Sequence, residues 1–131
     1  METRRALATD AVIPLEGEVL LLERDHPPFE GHWVLPGGLV ERDETAREAC
    51  TREVEEEVGL EVDVREFVGL YDDPDRDDRG NVSAAYRCDP QGEADPEPRE
   101  EARRVATFDP ADLPAMGFDH ERIVRDAFAE L

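Results

Sequence analysis

The sequence predicts an α+β domain in which helices pack on a mixed β-sheet. Short β-prone apolar segments occupy residues 7–15, 19–22, 60–71, 82–88 and 102–108. The apolar spacing switches to three and four over residues 45–58, and a second amphipathic stretch closes the chain over 119–131. Strands, helix, strands, helix is the order of a sheet with helices laid on it. A length of 131 residues suits one core and is too short for two.

Each element has its own signal. Residues 7–15 and 19–22 flank Glu16-Gly17-Glu18 and read as a hairpin. Asp25 to Gly31, with Pro27 and Pro28, is a breaker-rich loop. Trp33-Val34-Leu35 then leads into Pro36-Gly37-Gly38, which reads as a sharp turn. The first helix carries Ala46, Ala49, Cys50, Val54 and Val58 on one face, with Asp43 as its expected N-cap and Gly59 where a glycine ends it. After two strands comes the polar run DPQGEADPEP (89–98), a loop, and then a further strand over 102–108. The last helix sets Ile123, Val124, Ala127 and Phe128 on one face. No repeat or linker divides the chain, so a single domain over 1–131 is expected.

Charge is the most unusual bulk property. Thirty-five acids against fifteen bases give a formal charge of −20, and every base is arginine. An acidic, lysine-free surface is the pattern of a salt-adapted, halophilic protein, since concentrated salt screens such repulsion within about 3 Å near 1 M. A field of this sign repels nucleic-acid backbones and attracts divalent cations. No stretch nears the roughly 18 apolar residues of a membrane span. The start, Met1-Glu2-Thr3-Arg4-Arg5, meets no apolar signal segment. Cys50 and Cys88 form no CxxC pair and are expected as two reduced thiols. These observations point to a cytoplasmic protein that binds neither nucleic acid nor membrane.

The chemistry lies in residues 38–60, GLVERDETAREACTREVEEEVGL. Glu53, Glu56 and Glu57 stand at i, i+3 and i+4 of the predicted helix, so they project together. Three carboxylates on one face repel unless a cation sits among them or solvent covers them. Hard oxygen donors suit Mg²⁺, with Mn²⁺ as a substitute, and Mg²⁺ keeps waters and accepts phosphate oxygens.

This segment resembles the Nudix box, G-x5-E-x7-R-E-U-x-E-E-x-G-U with U a bulky aliphatic. Gly38, Glu44, Arg52, Glu53, Val54, Glu56, Glu57, Gly59 and Leu60 fill every specified position. The resemblance implies the Nudix fold, a mixed β-sheet sandwiched between α-helices (α/β/α). It implies a hydrolase in which water attacks phosphorus with metal ions neutralising charge. Glu53, Glu56 and Glu57 would be the metal-binding carboxylates, with the Gly37 carbonyl as a further ligand. Arg52 would orient the glutamates and Glu44 would brace the helix start. Glu100 and Glu101 occupy the place of an acidic pair before a strand, and Glu101 is the preferred additional metal and catalytic residue.

Downstream, Arg76-Asp77-Asp78-Arg79-Gly80 resembles the RDPRG-like run of ADP-ribose pyrophosphatases, with Asp78 in place of proline and Asn81 where relatives often carry histidine. Arg76 and Arg79 are candidate substrate cations, since guanidinium forks suit phosphate oxygens. They equally suit neutralising the aspartates around them. Gly117-Phe118-Asp119-His120 resembles a turn that opens the last helix in the same branch, which makes His120 a helix-start or packing residue. Trp33, Phe29 and Phe108 are expected as core anchors. The resemblance implies hydrolysis of ADP-ribose to AMP and ribose 5-phosphate. The alternatives are a nucleoside-triphosphate or oxidised-nucleotide pyrophosphatase on the same scaffold, and a nucleotide-sensing Nudix domain without catalysis. Relatives of this branch also make a homodimer possible.

Overall fold

The structure, a computed structural model, describes residues 4–129, so the predicted helix end at Glu130 and Leu131 and the opening Met1-Glu2-Thr3 lie outside the described residues. The first apolar run divides at Ile13. Leu7–Val12 is β1 and Pro14–Leu15 is β2, while Glu18–Arg24 is β3. Only β2 and β3 form the expected hairpin, closed by Glu16 and Gly17, both at positive φ (51° and 82°). Pro14 has no N–H to give a ladder, and β1 leaves for a different sheet. There it pairs in parallel with β7 (Val82–Pro90) and antiparallel with β5 (Gly37–Leu39). Gly37 and Gly38 are therefore strand residues, not the sharp turn that Pro36-Gly37-Gly38 suggests.

The mixed sheet runs β5-β1-β7-β6, with β6 spanning Val62–Tyr71. A second, antiparallel sheet joins β2, β3 and β4 (Trp33–Val34), and β8 (Ala102–Phe108) pairs with β3. Strand parity then sorts the core. Ala11, Ile13, Leu20 and Leu22 pack with Cys50, Val54 and Val58 of α1 (Ala46–Val58). Val12, Val19 and Leu21 pack with Ile123, Val124 and Ala127 of α2 (His120–Ala129). Alternate residues of β1 and β3 thus face opposite helices, which is the helix–sheet–helix sandwich expected of this chain. Each fully buried Val or Leu contributes roughly 1.5–3 kcal/mol.

Cys50 and Cys88 are free and buried, with their sulfurs 3.7 Å apart. Trp33 packs edge-on against Phe108, ring centroids 4.9 Å apart, beside the α2-side core. Phe29 departs from expectation: it is 40% exposed and leans on Phe118 at the rim rather than anchoring the core. It sits in the loop between β3 and β4 at a positive φ of 64°.

Candidate active site

The start of α1 is fixed by a capping box rather than by Asp43. The Thr45 hydroxyl accepts the N–H of Glu48 (3.1 Å), and the Glu48 carboxylate accepts that of Thr45 (2.9 Å). Both partners belong to the first turn, and this reciprocity places the N-cap two residues later than Asp43. At the other end Gly59 takes the left-handed conformation, φ 72°, and its N–H bonds Glu55. These caps fix the rotational phase of the helix. Glu53 and Glu57, four residues apart, then lie against β5.

Glu57 is buried, and its Oε1 accepts the N–H of Gly37 at 2.7 Å. Glu53 lies over Gly38 so closely that a Cβ there would stand 2.5 Å from the Glu53 carboxyl carbon. Glycine at position 38 is a space requirement. Burial pushes the Glu53 carboxyl up to about 7 despite its bond to Arg52, and the charges of Glu56 and Glu101 add to this. Burial raises Glu57 well above the carboxylate range; the Gly37 N–H opposes the rise, while Glu53 and Glu101 reinforce it. Glu53 and Glu57 thus present partly and fully buried carboxylates, with Arg52 as the cation bonded to Glu53 and none bonded to Glu57 among the described residues.

Arg52 is occupied by protein groups. It reaches Glu44 at 2.6 and 3.0 Å, Glu53 at 2.8 Å, Glu56 at 3.1 Å and the Leu39 carbonyl at 3.2 Å. The bonds to Glu44 and then Glu53 raise its affinity for its proton. Glu44 in turn accepts the N–H of Glu41 at 2.9 Å. The guanidinium therefore ties the loop before α1 to the glutamates on it.

The cleft encloses about 300 Å³. Glu53, Glu57, Glu101, Gly37 and Gly38 line one part of it, and Arg24, Arg76 and Arg79 another. Glu101 enters with a positive φ of 63°, a strained setting for a non-glycine residue that costs about 1–2 kcal/mol. The structure does not bring Glu56 or Arg52 to this cleft. They line a neighbouring hollow with Glu55, Arg99 and Glu100, and the Glu56 side chain is 41% exposed. Among the described residues, no three acidic, histidine or cysteine side chains converge tightly enough to cage an ion unaided.

The two arginines of the RDDRG run differ. Arg76 is buried and spends its fork on Asp119 (2.9 and 2.8 Å) and the Asn81 carbonyl (3.0 Å). It lines the cleft, yet its donors are engaged within the fold. Arg79 pairs with Asp77 and is half exposed. Arg24 and Arg79 both stack on Phe118, 5.4 and 5.5 Å from the ring centroid. Arg24 was missed by sequence reasoning. Its signal was a cation ending a run of core aliphatics, on the parity of Leu20 and Leu22. Asp10, also missed, is a lone acid inside an apolar strand. His120 opens α2, is buried, and accepts the Leu35 N–H at Nδ1 (3.0 Å), in agreement with its reading as a helix-start residue.

A sheet between two helices, one of which presents buried carboxylates to a glycine-lined cleft, is the framework of a Nudix-type domain. The NUDIX domain profile matches residues 4–127, and the chain belongs to the Nudix family of hydrolases. It is 41% identical over 122 residues to ADP-ribose pyrophosphatase of Methanocaldococcus jannaschii, covering 92% of this chain and 72% of that protein. An ADP-ribose pyrophosphatase from Streptococcus suis superposes with a TM-score of 0.79 at 25% identity, over 95% of this chain and 92% of that one. The NUDIX domain of Shewanella oneidensis NrtR, solved with ADP ribose, superposes at 0.84 and 24% identity, covering 98% and 90% respectively, a likeness of fold.

Proposed function

We propose that this chain is a Mg²⁺-dependent pyrophosphohydrolase that converts ADP-ribose and water to AMP and ribose 5-phosphate. The observation that carries the reading is the convergence of Glu53, buried Glu57 and Glu101 on one cleft that arginines line from the other side. The similarity to the two ADP-ribose pyrophosphatases supports the substrate.

Glu53 and Glu57, with Glu101 and the Gly37 carbonyl, would hold the ion; Mn²⁺ would serve in its place. Mg²⁺ retains waters and shares substrate oxygens, so a site of few carboxylates suits it. When bound, the ion neutralises phosphate charge and makes its water a better nucleophile. Glu56 joins this set only by turning from Arg52 toward the cleft. Arg52 positions Glu53 rather than touching substrate. Arg79, half exposed, is the substrate cation; Arg76 holds the Asp119 turn and reaches substrate only if its internal bonds open. Glu101, at the cleft wall, is the residue placed to accept a proton from the attacking water. Water adds to one phosphorus, the P–O–P bridge breaks, and the bridging oxygen leaves with the other phosphate.

The wider setting is also part of this proposal. Free buried thiols suit a reducing cytoplasm, and the lysine-free surface suits high salt. Phe67 and Leu70 on edge strand β6, 55% and 54% exposed, favour a homodimer, which sedimentation in low and high salt tests. For the chemistry, the protein is incubated with Mg²⁺ and ADP-ribose, NADH, diadenosine polyphosphates or nucleoside triphosphates in low and high salt. AMP and ribose 5-phosphate as preferred products, lost in Glu57→Gln, are expected. Preferential pyrophosphate from a triphosphate would replace the substrate while keeping the site. Silence on every substrate from folded protein would favour a nucleotide-sensing domain.

A further inference from the structure

Asp10 is an acid in the cleft that the hydrolytic account leaves unused. It is 6% exposed, in the middle of β1, with its side chain on the cleft wall. Burial works to raise its carboxyl, but the His120 ring, the Ser83 hydroxyl and the Arg76 charge outweigh burial and hold it below the ordinary value. The Ser83 hydroxyl and the His120 ring that face its Oδ2 are partners suited to a carboxylate.

Its two oxygens are used unequally. Ser83 donates its hydroxyl to Oδ2, and His120 Nε2 stands 3.4 Å from the same atom. Because His120 Nδ1 accepts the Leu35 N–H, the ring carries its proton on Nε2, facing Asp10. Oδ1 accepts no hydrogen bond from the described residues. It lies beside Gly37, where an added Cβ would meet it at 2.5 Å. Gly37 also donates its N–H to Glu57. Asp10 Oδ1 and the Glu57 carboxylate thus both border Gly37.

Asp10 Oδ1 is not an enclosed atom but opens on the cleft, where a donor on the substrate can take the place of solvent. We propose that Asp10 is a specificity-determining residue. Its Oδ1 accepts a hydrogen bond from a neutral donor of the substrate, a sugar hydroxyl or an exocyclic amine, and its charge turns away a substrate that places a further phosphate there. This rests on reading the cleft as the pyrophosphate-cleaving site. It deepens that reading by giving a physical reason why a nucleoside diphosphate joined to a neutral sugar is taken over a nucleoside triphosphate.

Asp10→Asn is the test. The amide keeps an oxygen for Ser83 and turns its NH₂ to the cleft, so donor meets donor and the repelling charge is gone. Steady-state kinetics are measured with ADP-ribose, its hypoxanthine counterpart and ATP. For ADP-ribose, kcat/KM is expected to fall at least tenfold, mainly through KM, while that for ATP holds or rises. The ratio is taken on one preparation, so loss of folded protein cancels. A penalty on ADP-ribose and its hypoxanthine counterpart alike assigns the donor to the sugar. A penalty that vanishes with hypoxanthine assigns it to the adenine amine. Ser83→Ala, which removes only the partner of Oδ2, is expected to move all substrates in parallel. If Asp10→Asn also moves them in parallel, Asp10 is structural and the proposal fails while the hydrolase reading stands. A wild-type protein that turns over no substrate overturns both.

Discussion

Glu53→Gln exchanges charge for neutrality in a side chain 14% exposed, over Gly38 and beside Arg52. The amide keeps an acceptor for the Arg52 bond of 2.8 Å. Burial and neighbouring acids lift the Glu53 carboxyl from 4.5 to about 7. A raised acid pKa means that the native state holds its proton more tightly than the unfolded chain does. Its stabilising effect is complete below the unfolded value and is lost as pH rises through the folded one. At 1.36 kcal/mol per unit, the ionised group costs the metal-free fold about 3 kcal/mol at pH 8. Without metal at pH 8, Glu53→Gln is therefore more stable than wild type by about that amount, or roughly 10 °C in Tm for a domain of this size. The gain shrinks towards pH 4. Saturating Mg²⁺, at about a hundred times its Kd, raises wild-type stability by about 2.7 kcal/mol and the variant far less, and hydrolysis falls by about 10²–10³-fold. Thermal melts in EDTA and in Mg²⁺ at pH 4, 6 and 8 decide it. A variant less stable than wild type in EDTA at pH 8, or a gain independent of pH, would refute the electrostatic reasoning.

Other perturbations test neighbouring parts of the site. Gly38→Ala drives a Cβ into the Glu53 carboxyl and is expected to weaken Mg²⁺ binding by about 10–100-fold; calorimetry showing unchanged affinity would contradict the close approach. Arg52→Lys gives up the fork to Glu44, Glu53 and Glu56. It should lower kcat by about 10–100-fold with little change in KM, whereas a KM effect alone would mean that Arg52 touches substrate. Thr45→Ala removes one half of the capping box and should cost about 1 kcal/mol in denaturant unfolding; Asp43→Ala should cost little, and the reverse ranking would restore Asp43 as the cap.

The parts of this fold readable from sequence were those set by local periodicity. Helix α1 showed itself by Ala49, Cys50, Val54 and Val58, and strand β8 by a short β-prone run over 102–108. Part of what failed depended on partners distant in sequence, and part on local competition, as where Thr45 and Glu48 displace Asp43 from the N-cap. Nothing local says that β1 leaves β2 at Ile13 to pair with a strand some seventy residues on. Arg76 was readable as a substrate cation or as a partner of the aspartates beside it, while its actual acceptor, Asp119, lies 43 residues away. Glu56 shares the helix face of Glu53, but the bond from Arg52, at i−4, turns it out of the cleft. Asp10 was visible as a lone acid in an apolar run. Its significance needed the Ser83 and His120 contacts that leave one oxygen free.

Glu53, Glu57 and Glu101 are the proposed seat of a divalent ion, and Mn²⁺ binding followed by electron paramagnetic resonance tests this most directly. Wild-type protein should bind Mn²⁺ in competition with Mg²⁺, and Glu57→Gln should lose that binding while Glu100→Gln keeps it. Equal binding by wild type and Glu57→Gln, with both proteins folded, would place the ion elsewhere and contradict the account.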